Sequence, residues 1–312
     1  MVKQIILEDL SHEEKIKYLE NRRKSASLKL TGHNKPVRYE ILQSTQIIAN
    51  RNTLLNSTSE KEWLIREVLP VSDGFVYDLS FLKNEVTKHT PVYDEIMDFS
   101  RKIYETYSHL MLKTNPYGRL TEVTNKEEIS QKWEQIKKYE LNQFFTDKEI
   151  SKIIPQLDQE IRDPLPGFRK DWLYMLFFIT ASDKRNEGNK GKAYPSDILM
   201  AKSFFLQGID LQLRNIEKIT GMDETTITIQ HNSSLMEEEI WSGSPDTHKL
   251  YKQQYEALFG TTFQHQFQHH ADYVLDRATG LIRSCKAIVW ERLNEQLYGE
   301  NIFEIKQKNT EI

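Results

Sequence analysis

The sequence predicts an α+β fold: a large, curved antiparallel β-sheet with central helices packed on its concave face. Three observations lead there. Segments of strand period lie toward both ends of the chain, segments of helical period fill its middle, and the strand–helix alternation of a doubly wound fold is missing. Strands from the two ends can then pair with each other, and the helices between them can cover one face.

The elements follow in order. Ser11–Ser27 is charged, with Ile16, Leu19 and Arg23 at helical spacing, and reads as a surface helix within an N-terminal helical extension, 1–35. Residues 36–312 read as a single α+β domain. Segments 37–48, 60–69 and 74–82 look extended and are separated by polar, turn-forming residues. In the third, Phe75, Tyr77, Leu79 and Phe81 share one face. Thr90-Pro91 is a helix start, with Ile96, Phe99, Ile103 and Tyr107 on one side. A hairpin around Asn115–Gly118 follows.

Two more helices open at Asn125-Lys-Glu-Glu128 and Thr146-Asp-Lys-Glu149, both close to capping boxes. Ile129, Trp133, Ile136, Glu140 and Phe144 mark the face of one, and Ile150, Ile153, Leu157 and Ile161 that of the other. Pro155 falls inside the second pattern and is expected to kink or shorten it. Pro164, Pro166 and Gly167 break the chain before an apolar helix at 169–180. Residues 182–197 have no apolar period and are expected to form a mobile loop. Strand alternation returns at Ile209, Leu211 and Leu213 and at Ile227 and Ile229. A helix from Ser244-Pro245 to near Gly260 precedes a strand at 261–276, a turn at 277–280, a strand at 281–292 and a short one near 301–306.

Composition removes several function classes. With 42 basic and 46 acidic side chains the net charge is -4, which gives no electrostatic case for nucleic acid or an anionic membrane as partner. One cysteine excludes a disulfide framework and a cysteine-based zinc site. The apolar run after Met1 stops within a few residues, short of a secretory signal, so the expected location is the cytoplasm. Trp172–Ile179, the most apolar window, is far below the roughly 20 residues that span a bilayer.

The most chemically suggestive segment is Thr261–His270. Read as a strand, it puts Phe263, His265, Phe267, His269 and Tyr273 on one face, an aromatic groove with two imidazoles as polar fixtures. At strand rise His265 and His269 stand about 13–14 Å apart, too far to share a metal ion. A helical reading would allow i, i+4 chelation, but the zincin pattern needs Glu at 266, where this chain has Gln. Cys285 shares a strand face with Ala287 and Val289 and reads as a core residue rather than a nucleophile. Glu237–Glu239 reads as a solvated charge run. Gly188–Lys192 lacks the spacing of a phosphate loop.

No catalytic motif, metal site or cofactor motif emerges. The leading expectation is a non-enzymatic binding protein that holds another protein, as an adaptor, chaperone-like or immunity-type factor. The first alternative is a carrier of an apolar small molecule in the aromatic groove. The second is a metal-dependent or acid–base hydrolase using His265, His269 and a distant carboxylate such as Asp272 or Glu239.

Overall fold

The computed structural model describes residues 31–89, 94–141, 147–179, 185, 187–205, 210–236, 253, 256–257 and 265–308. Its frame is one open antiparallel sheet. The N-terminal half contributes β1 Val37–Ala49, β2 Asn52–Val71, β3 Gly74–Lys88, β4 His109–Thr114 and β5 Leu120–Val123. The C-terminal half contributes β6 Ala193–Lys202, β7 Asp210–Met222, β8 Thr226–Leu235, β9 Gln266–Asp276, β10 Ile282–Asn294 and β11 Leu297–Lys308.

The order across the sheet is β5-β4-β3-β2-β1-β11-β10-β9-β8-β7-β6. Each half is therefore a meander, and the two are joined by β1 against β11, where Ile41 faces Ile305 and Gln43 faces Phe303. This is the pairing of chain ends that the sequence pattern required. The terminal strand near 301–306 is longer than expected because its pairing to β1 runs from Leu297 to Lys308.

Period-two burial sets one inner face. Val37, Tyr39 and Ile41 are buried on β1 while Arg38, Glu40 and Leu42 are exposed. On β2, Lys61, Trp63 and Ile65 point inward, and a bulge after Ile65 resets the alternation so that Val68 is buried next. The β1–β2 connection is a two-residue turn, Asn50-Arg51, with φ of 50° and 66°. Both residues are left-handed, as a type I′ turn requires.

Among the described residues five helices lie between the halves: α1 Asp94–Thr106, α2 Lys126–Tyr139, α3 Asp147–Arg162, α4 Leu165–Phe168 and α5 Trp172–Phe177. Ile129, Trp133 and Ile136 form the buried stripe of α2, as their spacing predicts. The Trp133 Nε1–H donates to Asp158 at 2.7 Å and so ties α2 to α3. α5 presses its rings on the inner face of the sheet. Phe177 meets Tyr39 and Trp63, each at 4.9 Å between centroids, and Tyr174 meets Trp63 at 5.4 Å.

Three expectations need correction. α3 continues through Pro155 to Arg162, so the proline, on an exposed side, does not shorten it. The apolar helix expected at 169–180 is the single short α5, because Asp171 caps it by accepting from the backbone N–H of Leu173 and Tyr174 at 2.9 and 3.3 Å. Residues before that cap belong to α4 and a turn. The stretch 182–197 is not one loop: Ala193 onward is β6, paired to β7, and Arg185 is a buried ion-pair partner. The surface helix at 11–27, the helix at 244–260, the charge run Glu237–Glu239 and the start of the 261–276 strand, including Phe263, lie outside the described residues.

Candidate functional site

An opening lies between α4–α5 and the inner face of β6–β9. It is a cavity of about 410 Å³, within the usual range for small-molecule sites. Its walls are mostly apolar, with Trp172, Met175, Leu176 and Phe178 on the helix side and Leu199 and Met200 on β6. Asn215, His231, His269 and Tyr273 form a polar floor, and Arg119, Arg169 and Lys170 also line it. Lys170 pairs with Asp210 at 2.5 Å. Arg169 donates its Nε–H to the Leu120 carbonyl at 2.9 Å, and neither Arg119 nor Arg169 has an ion-pair partner among the described residues. The cavity is thus an apolar space with two solvent-exposed guanidinium groups at its border.

Strand register builds the floor. Leu211, Leu213 and Ile219 fix the inward face of β7, and period two then forces Asn215 and Glu217 onto the same face. Glu217 stands opposite His231 on β8 and Tyr194 on β6. Asn215 stands opposite Ser233 on β8, which in turn faces His269 on β9. Two adjacent rows of polar side chains therefore cross the sheet, in a core that is mostly hydrocarbon.

The carboxylate of Glu217 is 0% exposed and anchors the cluster. Arg185, 2% exposed, grips it with two parallel bonds, Nε at 2.8 Å and Nη2 at 2.7 Å. The Tyr194 hydroxyl and the His231 Nε2–H also donate to it, the latter at 2.7 Å. Burial opposes ionisation of Glu217, but the Arg185 guanidinium, with His231, holds its carboxyl well below the usual range.

The proton positions follow by elimination. A carboxylate only accepts, so His231 carries its proton on Nε2. Burial lowers the His231 pKa despite the Glu217 bond, which leaves Nδ1 bare to accept from the Asn215 amide N–H at 3.4 Å. Asn215 Oδ1 accepts the Ser233 hydroxyl proton at 3.0 Å. Ser233 Oγ has then spent its proton, so it accepts from His269 Nδ1–H at 2.9 Å. Every bond in the relay points toward Glu217, and the far end is the bare Nε2 of His269.

His269 is 1% exposed, and its Nε2 has no hydrogen-bond partner among the described residues. Burial pushes its pKa down to about 3, so the imidazole is neutral at ordinary pH. Trp172 lies 4.9 Å away between centroids, and its indole N–H is a second buried polar atom without a partner.

The predicted groove is only partly one site. His269 and Tyr273 line the cavity. Phe267 stacks behind Trp172 at 5.7 Å and belongs to the core. His265 turns to a different acid: its Nε2 bonds Glu291 at 2.8 Å, where Ser203 Oγ and the Phe204 backbone N–H also donate at 2.6 and 2.5 Å. The two imidazoles therefore serve separate carboxylate-anchored networks and do not converge on a common centre. Asp272 instead accepts from Gln230 at 2.8 Å and pairs with His270 at 3.1 Å, and Glu239 lies outside the described residues. Cys285 is buried, and burial raises its thiol pKa far from the reactive range.

The sequence reading missed Asn215, Glu217, His231 and Ser233. The signal was present in β7 and β8, where polar residues continue an inward register set by leucine and isoleucine. Lys61 was missed for the same reason. It is 5% exposed on the inner face of β2, donates to Gln43 Oε1 at 2.8 Å and Ser59 Oγ at 2.7 Å, and burial lowers its pKa to about 8.

No protein-family model matches the chain, and no curated protein matches it. Among solved structures it is similar to one described as "Lipid-protein interactions in lipovitellin", with 9% identity and a TM-score of 0.44. The match covers 89% of this chain and 25% of that one, so the chain spans about a quarter of that structure's length. A likeness at that TM-score decides nothing about fold or ligand. No helix among the described residues is long and apolar enough to cross a membrane.

Proposed function

We propose that the protein binds an apolar small molecule with an acidic group, holding the apolar body in the cavity between α4–α5 and β6–β9. The cavity itself carries this reading: about 410 Å³ of mostly hydrocarbon wall, bordered by two arginines without ion-pair partners. Filling such a space with hydrocarbon removes apolar surface from water at roughly 25 cal/mol per Å². An anionic group on the ligand compensates Arg119 and Arg169. In this reading residues 36–312 act as one domain, the sheet curves around the helices, and α4 and α5 form the cover over the site. Of the functions open to the sequence this is the carrier.

The test is a fluorescence titration with 1-anilinonaphthalene-8-sulfonate, followed by displacement with dodecanoate. Saturable binding at one site, lost in Leu199→Trp with the circular dichroism spectrum retained, supports the reading. Leu199 lines the cavity, so the larger indole occupies the ligand's space. Binding that Leu199→Trp leaves unchanged refutes it, as does no binding at all.

A further inference from the structure

We infer that the ligand carries a hydrogen-bond donor, a hydroxyl in the simplest case, and that it binds by giving this proton to His269 Nε2 at the floor of the cavity. The inference rests on the cavity reading above and names the chemistry of one end of its occupant.

The argument is one of satisfaction. Buried polar atoms are paired in folded proteins because a lone one forfeits its hydration with no return. The polar floor obeys this rule from Glu217 through His231, Asn215 and Ser233 to His269 Nδ1. It stops at His269 Nε2, on a side chain 1% exposed that lines the cavity. That atom is an acceptor, because the direction of the relay places the imidazole proton on Nδ1. It stays an acceptor through the physiological range, since a pKa of about 3 leaves the ring able to receive a hydrogen bond without taking the proton. The site is thereby built against ligands that offer only lone pairs at this end. A carbonyl or ether oxygen would meet Nε2 lone pair to lone pair. A hydroxyl is favoured over a donor with no acceptor capacity, because the Trp172 indole N–H, also buried and unpaired on a neighbouring ring, is a donor. A hydroxyl can both donate and accept.

Each residue of the relay has a part that a merely structural role would not need. Glu217 fixes the tautomer of His231, and Asn215 and Ser233 pass that choice on. His269 is the contact, and the others are positioning residues. Reversing the polarity at any point reverses what Nε2 presents to the cavity.

The test uses two probes of equal heavy-atom number, 1-decanol and nonyl methyl ether, titrated against the full chain by displacement of 1-anilinonaphthalene-8-sulfonate. They differ in whether the terminal oxygen can donate. The expected result is an alcohol preference of about tenfold, the size of one buried neutral hydrogen bond. In His269→Phe the ring volume remains and the acceptor is gone, so the preference should fall to about onefold. In Ser233→Ala the Nδ1 proton loses its acceptor, and the preference should shrink while His269 remains. This second variant decides the matter if His269→Phe does not fold. Equal binding of the two probes to the unmodified chain overturns the inference and leaves the cavity reading standing. So does a preference that survives both substitutions. Failure of both probes to displace the dye overturns the inference along with the cavity reading.

Discussion

Replacing Glu217 with glutamine changes one oxygen for an NH₂ group at almost constant volume, so its effect measures charge and proton direction rather than packing. In the native cluster a 0% exposed carboxylate receives both Arg185 bonds, the Tyr194 hydroxyl and the His231 Nε2–H. With the charge gone, Arg185 remains a guanidinium 2% exposed that has lost the carboxylate facing it. Breaking a buried pair from one side costs about 3–5 kcal/mol. Unfolding entropy of roughly 2.1 cal/mol/K per residue gives about 0.66 kcal/mol/K for 312 residues, so Tm should fall by about 5–8 °C.

A second readout comes from the relay. The glutamine oxygen is needed by Arg185, which turns its NH₂ toward His231. His231 must then accept at Nε2 and donate from Nδ1, Asn215 flips, Ser233 donates to His269 Nδ1, and Nε2 becomes a donor. Glu217→Gln should therefore lose the preference of the cavity for 1-decanol over nonyl methyl ether, or reverse it. The assays are differential scanning calorimetry and the dye-displacement titration. A Tm within about 1 °C of the unmodified chain would refute the argument that this pair is buried and coupled. So would destabilisations by Glu217→Gln and Arg185→Met that simply add.

Acid should weaken the fold before any carboxylate of ordinary pKa titrates. A histidine whose pKa is 6.5 when unfolded and about 3 when folded takes up its proton first in the unfolded chain. Stability is therefore full above pH 6.5 and drains as pH falls toward 3, by up to about 5 kcal/mol in total. Urea unfolding between pH 7 and 4 should show this slope, and His269→Phe should flatten much of it; an unchanged slope would mean that His269 is not buried neutral. Lys61→Met is expected to stabilise the protein by about 2–3 kcal/mol at neutral pH, because folding lowers the lysine from 10.5 to about 8 and both forms are protonated below that. The gain should shrink as pH rises through 8 toward 10.5, and a destabilised variant would contradict it. Arg51→Gly should raise stability by about 0.5–1 kcal/mol, since Arg51 has a φ of 66° in a type I′ turn where Asn-Gly is the favoured pair. Thermal melts would detect it, and a loss of stability would show that the Arg51 side chain matters more than its backbone.

Much of the architecture was legible in local pattern. Alternation in β1, β3, β7, β8, β9 and β10 names the inner face residue by residue, and the helical spacing of Ile129, Trp133 and Ile136 names the buried stripe of α2. Even the inward position of His269 follows from counting by twos from Phe267. These features are readable because side-chain direction in a strand or helix is fixed by the backbone period, which is a property of consecutive residues. The failures share a cause. The split of 182–197 into a buried arginine and a strand, and the anchoring of His265 by Glu291, depend on residues far away in the chain.

The sequence by itself determined that an antiparallel sheet forms, that its end strands can pair, and which side of each strand is apolar. Only the tertiary structure decided that Glu217, His231, Asn215, Ser233 and His269 fall into two adjoining rows under a cavity. Register between strands is a long-range match. A shift of two residues in one pairing would preserve every inward and outward assignment and yet break the relay. Proton direction, and with it the chemistry that the cavity floor offers, exists only once that register is set.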